Sequence, residues 1–209
     1  MSGYISDAVI RRMPAYIRHL RELEQAGIRQ ISSQELGERM GLTPSQVRQD
    51  FNSIGGIGRQ GCGYFVRELR EHICRTMGLD KPHRMVIVGA GRMGRSLANY
   101  TDFSRDGFET VALFDNDPER IRLSTETLPI YPVEELAERL PGLKADIGVL
   151  AVPAECAQAM LNLLYENGIR AIWNFAPVDL NYPRSVAAVD VHLGDTLSIL
   201  SFRMKRKDE

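Results

Sequence analysis

Gly89-Ala90-Gly91-Arg92-Met93-Gly94 is a G-x-G-x-x-G run placed where such a run can hold a dinucleotide. It follows the apolar stretch Met85-Val86-Ile87-Val88 and precedes the helix-compatible Arg95-Ser96-Leu97-Ala98-Asn99-Tyr100. In a strand–loop–helix unit the first glycine permits a tight turn, the second lets a pyrophosphate approach the backbone, and the third lets helix pack on strand. The helix start adds free amides and the positive end of its dipole. A second apolar stretch, residues 110–114, ends at Asp115, 21 positions after Gly94. A carboxylate there accepts from both ribose hydroxyls and repels a 2′-phosphate, so the cofactor expected is NADH or NAD+ rather than the phosphorylated pair. Two further strands, residues 147–152 and 171–175, run out at Pro153 and Pro177. Ligands sit at the carboxyl ends of open parallel sheets. Val152, Pro153, Asn174 and Phe175 are therefore candidates to line a nicotinamide pocket, with ordinary strand-end packing as the alternative.

A second kind of chemistry lies upstream. Thr43 reads as a helix N-cap, Pro44 as the first helical residue, and Gln46 as the far end of a capping box. The outward side chains of that helix are Ser45, Gln46, Arg48, Gln49 and Asn52, while Val47 and Phe51 face inward. Arginine can bond guanine O6 and N7 in a fork, and glutamine can do the same with adenine N6 and N7. The helix before it opens with a capping box, Ser32 to Glu35, buries Leu36 and Met40, and stops at Gly41. Two helices joined by the tight Gly41-Leu42 turn make a helix-turn-helix, whose second helix can enter the major groove. Two short capped helices also occur in plain bundles. Residues 55–64 hold five glycines, which no helix survives. They read as a strand-turn-strand wing with Arg59 and Gln60 at its tip, suited to a minor groove, or as a flexible loop.

These side chains need elements to carry them. An amphipathic helix over residues 10–25 supplies Met13, Tyr16, Ile17, Leu20 and Leu23 to a core, with Pro14 tolerated as a first-turn residue. A fourth helix, residues 65–77, returns Leu69 and Ile73 to it. A boundary is expected near Gly78-Leu79-Asp80-Lys81-Pro82, where Gly and Pro bracket a polar link. The expected organisation is a winged helix-turn-helix domain over 1–80, a Rossmann-type doubly wound parallel sheet (an α/β domain) over 81–193, and a C-terminal helix and tail over 194–209. That last helix carries Leu197, Leu200 and Met204 in one stripe and is expected to dock on its own domain or on a partner.

Composition narrows the classes. The chain has 209 residues, 44% apolar and 25% charged, near the globular average, which excludes disordered and collagen-like chains. No apolar stretch reaches the roughly 18 residues of a membrane span, so a cytoplasmic protein is expected. Cys62, Cys74 and Cys156 form no C-x-x-C pair, which fits a reducing compartment and no metal site. The net charge is −1; the first 80 residues hold 11 Arg, no Lys and 9 acids, a mild positive excess. Past the dinucleotide module only one strand and one helix remain, and the four histidines (His19, His72, His83, His192) offer no evident proton donor beside a nicotinamide. H-E-x-x-H, G-x-S-x-G and a P-loop lysine are all missing from the sequence. The expectation is a non-enzyme. The rival readings are a small NAD-dependent oxidoreductase with a DNA-binding arm, and a scaffold sensing another nucleotide such as coenzyme A.

Joined in one chain, these parts resemble the redox-sensing transcriptional repressors called Rex. The likeness runs from about Val9 to Phe202. It is carried by Ser45-Gln46-Val47-Arg48-Gln49-Asp50-Phe51, Gly61-Cys62-Gly63-Tyr64, Gly89 to Gly94, Ala151-Val152-Pro153 and Asn174-Phe175-Ala176-Pro177. The resemblance implies a homodimer that exchanges its terminal helix, binds double-stranded operator DNA, and releases it when NADH is bound, with NAD+ competing for the pocket without causing release. It also implies a state-dependent network of Arg18, Tyr100 and an aspartate from the partner subunit, at Asp190. The chain departs from the family's usual Lys at Gln49, Arg at Gln60 and aromatic at Val191. The first two bear on operator sequence and affinity, the third on how sharply NADH is told from NAD+.

Overall fold

The computed structural model describes residues 5–56 and 63–206. Arg59, Gln60 and Cys62 lie outside the described residues. The chain divides into two compact units, Met1–Lys81 and Pro82–Glu209.

In the first unit, α1 (Asp7–Gln25) buries Met13, Tyr16, Leu20 and Leu23 along one face. It begins three residues earlier than its apolar repeat suggests. The amides of Val9 and Ile10 donate to the Ser6 carbonyl at 2.9 and 3.1 Å, and Asp7 adds an acid to the first turn. Pro14 therefore sits inside the helix, not in its first turn. The amide it lacks would have served the Ile10 carbonyl, but both residues are exposed, so water can take that place.

β1 (Gln30–Ile31) leads to α2 (Ser33–Met40) and α3 (Pro44–Ser53). Both halves of the Ser32–Glu35 capping box form, at 3.1 and 2.8 Å. Gly41 closes α2 at φ 67°, a left-handed position suited to glycine. Thr43 accepts from the Gln46 amide N–H at 3.2 Å. The second capping box stays half made, because the Gln46 side chain donates to Asp50 at 2.8 Å rather than turning back to the cap.

β2 (Tyr64–Phe65) and α4 (Val66–Thr76) complete the unit. β2 pairs antiparallel with β1, Ile31 opposite Tyr64. The strand leaving the glycine segment thus finds its partner ahead of α2, not in the segment before the expected tip. Gly63 permits this approach: a Cβ there would lie 2.6 Å from the Ile31 carbonyl oxygen. Tyr16, Phe51 and Tyr64 meet in sequence, one pair tilted and the next edge-on, with centroids 4.8 and 4.9 Å apart, and join Leu36, Val47, Leu69 and Ile73 in one core.

The second unit alternates strand and helix: β3 (His83–Val88), α5 (Arg92–Ala98), α6 (Thr101–Arg105), β4 (Phe108–Asp115), α7 (Pro118–Ile121), β5 (Ile130–Pro132), α8 (Leu136–Leu143), β6 (Ile147–Leu150), α9 (Ala154–Glu166), β7 (Ala171–Asn174), β8 (Ala187–Asp190) and α10 (Leu193–Lys205). All neighbouring strands are parallel, in the order β5-β4-β3-β6-β7-β8. Counted within the unit this is 3-2-1-4-5-6, the Rossmann order. Both faces are covered, so β3 is apolar at every position from Met85 on. Val86 and Val88 enter the cluster with Leu161 and Leu164, while Met85 and Ile87 enter the one with Leu113 and Val149. α10 differs from every other long helix: none of its residues is buried, and Leu197, Leu200, Phe202 and Met204 are 52–66% exposed.

Candidate functional site

The order of strands reverses between β3 and β6, and the glycine loop leaves β3 at that switch point, where doubly wound sheets hold ligands. The three glycines are not equivalent. Gly89 adopts φ 103°, and a Cβ on it would lie 2.3 Å from the Ala151 carbonyl oxygen. A Cβ on Gly94 would lie 1.8 Å from the Gly89 carbonyl oxygen, so helix α5 packs on its own loop through that position. Gly91 is different: among the described residues beyond its chain neighbours, the nearest atom to a Cβ there is Arg120 Nη1, at 4.0 Å. The protein's own packing thus requires glycine at 89 and 94 but not at 91, and the open side of Gly91 adjoins the first amides of α5, at Arg92, Met93 and Gly94.

Asp115 ends β4 and is 4% exposed. It accepts from the Ala90 amide at 2.6 Å and the Asp117 amide at 2.9 Å. The acid proposed from spacing is therefore tied to the glycine loop by a hydrogen bond spanning 25 residues. Beside it opens a cavity of about 290 Å³ whose walls include Phe114, Val133, Val152, Cys156 and Met160. Arg120, which the sequence did not single out, reaches Asp115 at 3.1 Å and Asp117 at 3.1 Å.

Val152 and Phe175 are half-buried at the carboxyl ends of β6 and β7, and Pro153 is exposed at the start of α9. Asn174 is fully buried. Its amide group is engaged by the protein: it donates to Asp190 at 2.8 Å and to the Val178 carbonyl at 3.2 Å, and accepts from the Ala176 N–H at 2.9 Å. Asp190 also accepts from the Tyr182 hydroxyl at 2.5 Å, and burial, reinforced by that bond, pushes the Tyr182 hydroxyl well above the usual phenol range. Two of the named residues, Asn174 and Asp190, are thus in contact, and Tyr182 is a third member that spacing could not reveal. Tyr100 is 52% exposed, with its ring 4.7 Å from Phe103. Phe103 meets Trp173 at 5.5 Å, and Trp173 meets Phe175 at 4.6 Å. A chain of rings therefore joins Tyr100 to Phe175. Phe103, Phe108, Trp173 and Val189 also line an apolar hollow of about 460 Å³.

In the first unit, Ser45, Arg48, Gln49 and Asn52 of α3 are exposed, Gln46 is half-buried, and Arg18 is exposed on α1. Arg48 donates to the Ser33 hydroxyl at 3.0 Å, which steadies it against α2. Asp50, on the inner side of the same helix, accepts from Arg12, Tyr16 and Gln46. Gln46 is therefore oriented by a buried carboxylate.

Known families match parts of both units. Residues 4–52 match the family described as "Putative DNA-binding protein N-terminus", and residues 80–178 match the one described as "CoA binding domain". A Redox-sensing transcriptional repressor Rex of Caldicellulosiruptor saccharolyticus is 45% identical over 203 residues, 97% of this chain and 93% of that one. The protein of the same name from Clostridium botulinum is 46% identical over 94% of each. Among solved structures, RSP in complex with beta-NAD+ and operator DNA superposes with a TM-score of 0.92 at 42% identity, over 98% of this chain and 94% of that one. RSP with beta-NADH gives 0.89 at 41% identity, over 98% and 96%.

Proposed function

The chain belongs to the Rex family of redox-sensing transcriptional repressors, and from that premise we propose that it works as a dimeric repressor reading DNA with one unit and the NADH/NAD+ ratio with the other. It holds operator DNA when NADH is scarce and releases it when NADH binds. The observation that carries this is full-length kinship, over 98% of the chain, with a repressor solved together with beta-NAD+ and operator DNA.

The pyrophosphate lies over Gly91 and the first amides of α5, the adenosine beside Asp115, and the nicotinamide toward Val152, Pro153 and Phe175. Asn174 and Tyr182 hold in place Asp190, the residue expected to serve the partner subunit's state-dependent network. The exposed apolar face of α10 and the hollow beside Trp173 are what a homodimer with exchanged terminal helices would cover. The protein acts in the cytoplasm, on double-stranded DNA, and performs no hydride transfer: NADH is a signal, so a proton donor beside the ring is not needed.

Release requires that NADH bind the DNA-releasing arrangement more tightly than the DNA-binding one, with reciprocal coupling of about 1–3 kcal/mol. A dimer sharpens the response, because its two readers must meet half-sites about one helical turn, or a multiple of it, apart. The test is a gel shift at fixed salt, on a duplex selected from a random pool, with NADH, NAD+ and coenzyme A titrated in parallel. The expected result is release by NADH, protection by competing NAD+, and indifference to coenzyme A. Release by coenzyme A alone would move the assignment to that nucleotide, in line with the second family description.

On the DNA side, Arg48→Ala is expected to weaken operator binding by about 1–3 kcal/mol, the worth of a bidentate base contact. Binding to unrelated duplex should fall much less. Equal losses on both duplexes would make Arg48 a phosphate contact.

A further inference from the structure

The carboxylate expected to choose the ribose is not bare. Asp115 already accepts from two backbone amides, and the Arg120 guanidinium lies across its remaining side, with Nη1 at 3.1 Å from Oδ2 and 3.4 Å from Oδ1. The same guanidinium reaches Asp117 through Nε at 3.1 Å, and its Nη1 lies 4.0 Å from where a Cβ on Gly91 would stand. It stands between the place for the pyrophosphate and the place for the adenosine ribose.

Two properties make Arg120 a mobile partner rather than a fixed one. Its side chain is 44% exposed, so the arginine end of the pair is open to water while the Asp115 end is buried. Asp115 keeps its two amide donors if Arg120 turns away, so the loop stays anchored. A bare carboxylate at the end of the second Rossmann strand rejects a 2′-phosphate, whereas an arginine nearby accommodates one. This site has both groups, in contact with each other.

We infer that Arg120 is the specificity-determining residue of the adenosine half, turning from Asp115 to meet a 2′-phosphate and so lowering the discrimination against NADPH that the carboxylate would otherwise impose. The inference rests on the dinucleotide reading above and adds a second class of ligand, the 2′-phosphorylated coenzyme. Asp117 keeps the guanidinium close to the site in either position.

The experiment is a titration of full-length wild type, Arg120→Gln and Arg120→Lys with NADH and with NADPH, read as energy transfer from Trp173, the sole tryptophan, to the reduced nicotinamide. The two coenzymes share that ring, so the ratio of their affinities isolates the phosphate. Arg120→Gln is expected to lower the NADPH:NADH affinity ratio by about tenfold or more, the worth of a charge-assisted hydrogen bond, and Arg120→Lys to keep most of it. A ratio that stays the same or rises in Arg120→Gln overturns the inference. Failure of the wild type to bind either coenzyme overturns the dinucleotide reading itself, and the wild-type arm alone shows it.

Discussion

Replacing Gly91 by alanine is expected to lower NADH affinity by about a hundredfold or more while leaving the melting temperature unchanged or slightly raised. The backbone at Gly91, φ −66° and ψ −168°, is open to any residue, and beyond its chain neighbours an added methyl meets no atom of the described residues closer than 4.0 Å. Alanine there even removes some freedom from the unfolded chain. A phosphate resting against the Gly91 backbone, however, would be pushed away from the amides at the start of α5, and each charge-assisted bond lost removes about 1.5–3 kcal/mol. Gly94→Ala is the contrasting variant. Its methyl would stand 1.8 Å from the Gly89 carbonyl oxygen and 3.3 Å from Ile87 Cγ2, so helix and loop must part. A loss of about 3 kcal/mol in the stability of the second unit is expected, at the upper end for overpacking, and nucleotide binding falls with it. Thermal unfolding and NADH titration on both variants separate the roles. Undiminished NADH affinity in Gly91→Ala would remove the pyrophosphate from that place.

That contrast was half visible in the sequence. Strand, glycine loop, helix and terminal acid lie next to one another along the chain, and their placement follows from local geometry, so the positions of Gly89 to Gly94 and Asp115 at the strand ends could be read by spacing. What makes Gly94 obligatory, the return of the loop onto its own helix, was legible for the same reason. Features set by tertiary partners were not. β1 has two residues, one of them polar Gln30, and carries no period; it is a strand only because Tyr64 arrives beside Ile31. β5, three residues ending in Pro132, is an edge strand that gave no signal in the stretch after Asp115. Gln46 had two acceptors in reach, its own helix cap and Asp50. The choice went to Asp50 because that carboxylate is buried beneath α1, a fact 38 residues distant from Arg12 in sequence. Arg120 shows the same limit: five positions from Asp115, it looks like any charge on a polar loop until the loop folds back.

Arg12→Ala is expected to destabilise the first unit by about 3–5 kcal/mol, because it strands a buried carboxylate. The Asp50 side chain is 0% exposed, and Arg12 holds both its oxygens, Nε and Nη2 each at 2.7 Å. Tyr16 adds a hydroxyl donor at 3.0 Å and Gln46 an amide donor at 2.8 Å. Burial alone would push the Asp50 carboxyl up; the donors, Arg12 foremost, outweigh burial and hold it below the ordinary carboxylate range. A carboxyl depressed in the fold contributes stability above its unfolded pKa of about 3.9, and that contribution is lost as pH falls through the folded value. With Arg12 gone, burial loses its chief opponent and the carboxyl rises, so acid unfolding should begin at a higher pH than in the wild type. Replacing both partners, Arg12→Met with Asp50→Leu, should recover part of the stability, since an apolar pair asks for no desolvation of charge while the buried Tyr16 hydroxyl loses its acceptor. It should not recover full operator affinity, because Gln46 would lose the acceptor that orients it on α3, the helix proposed to read DNA. Thermal melts from pH 3 to 8, with operator binding at pH 7, distinguish these outcomes. An acid limb that stays in place in Arg12→Ala would mean that Asp50 does not depend on Arg12, and full operator binding by the double variant would detach Gln46 from DNA recognition.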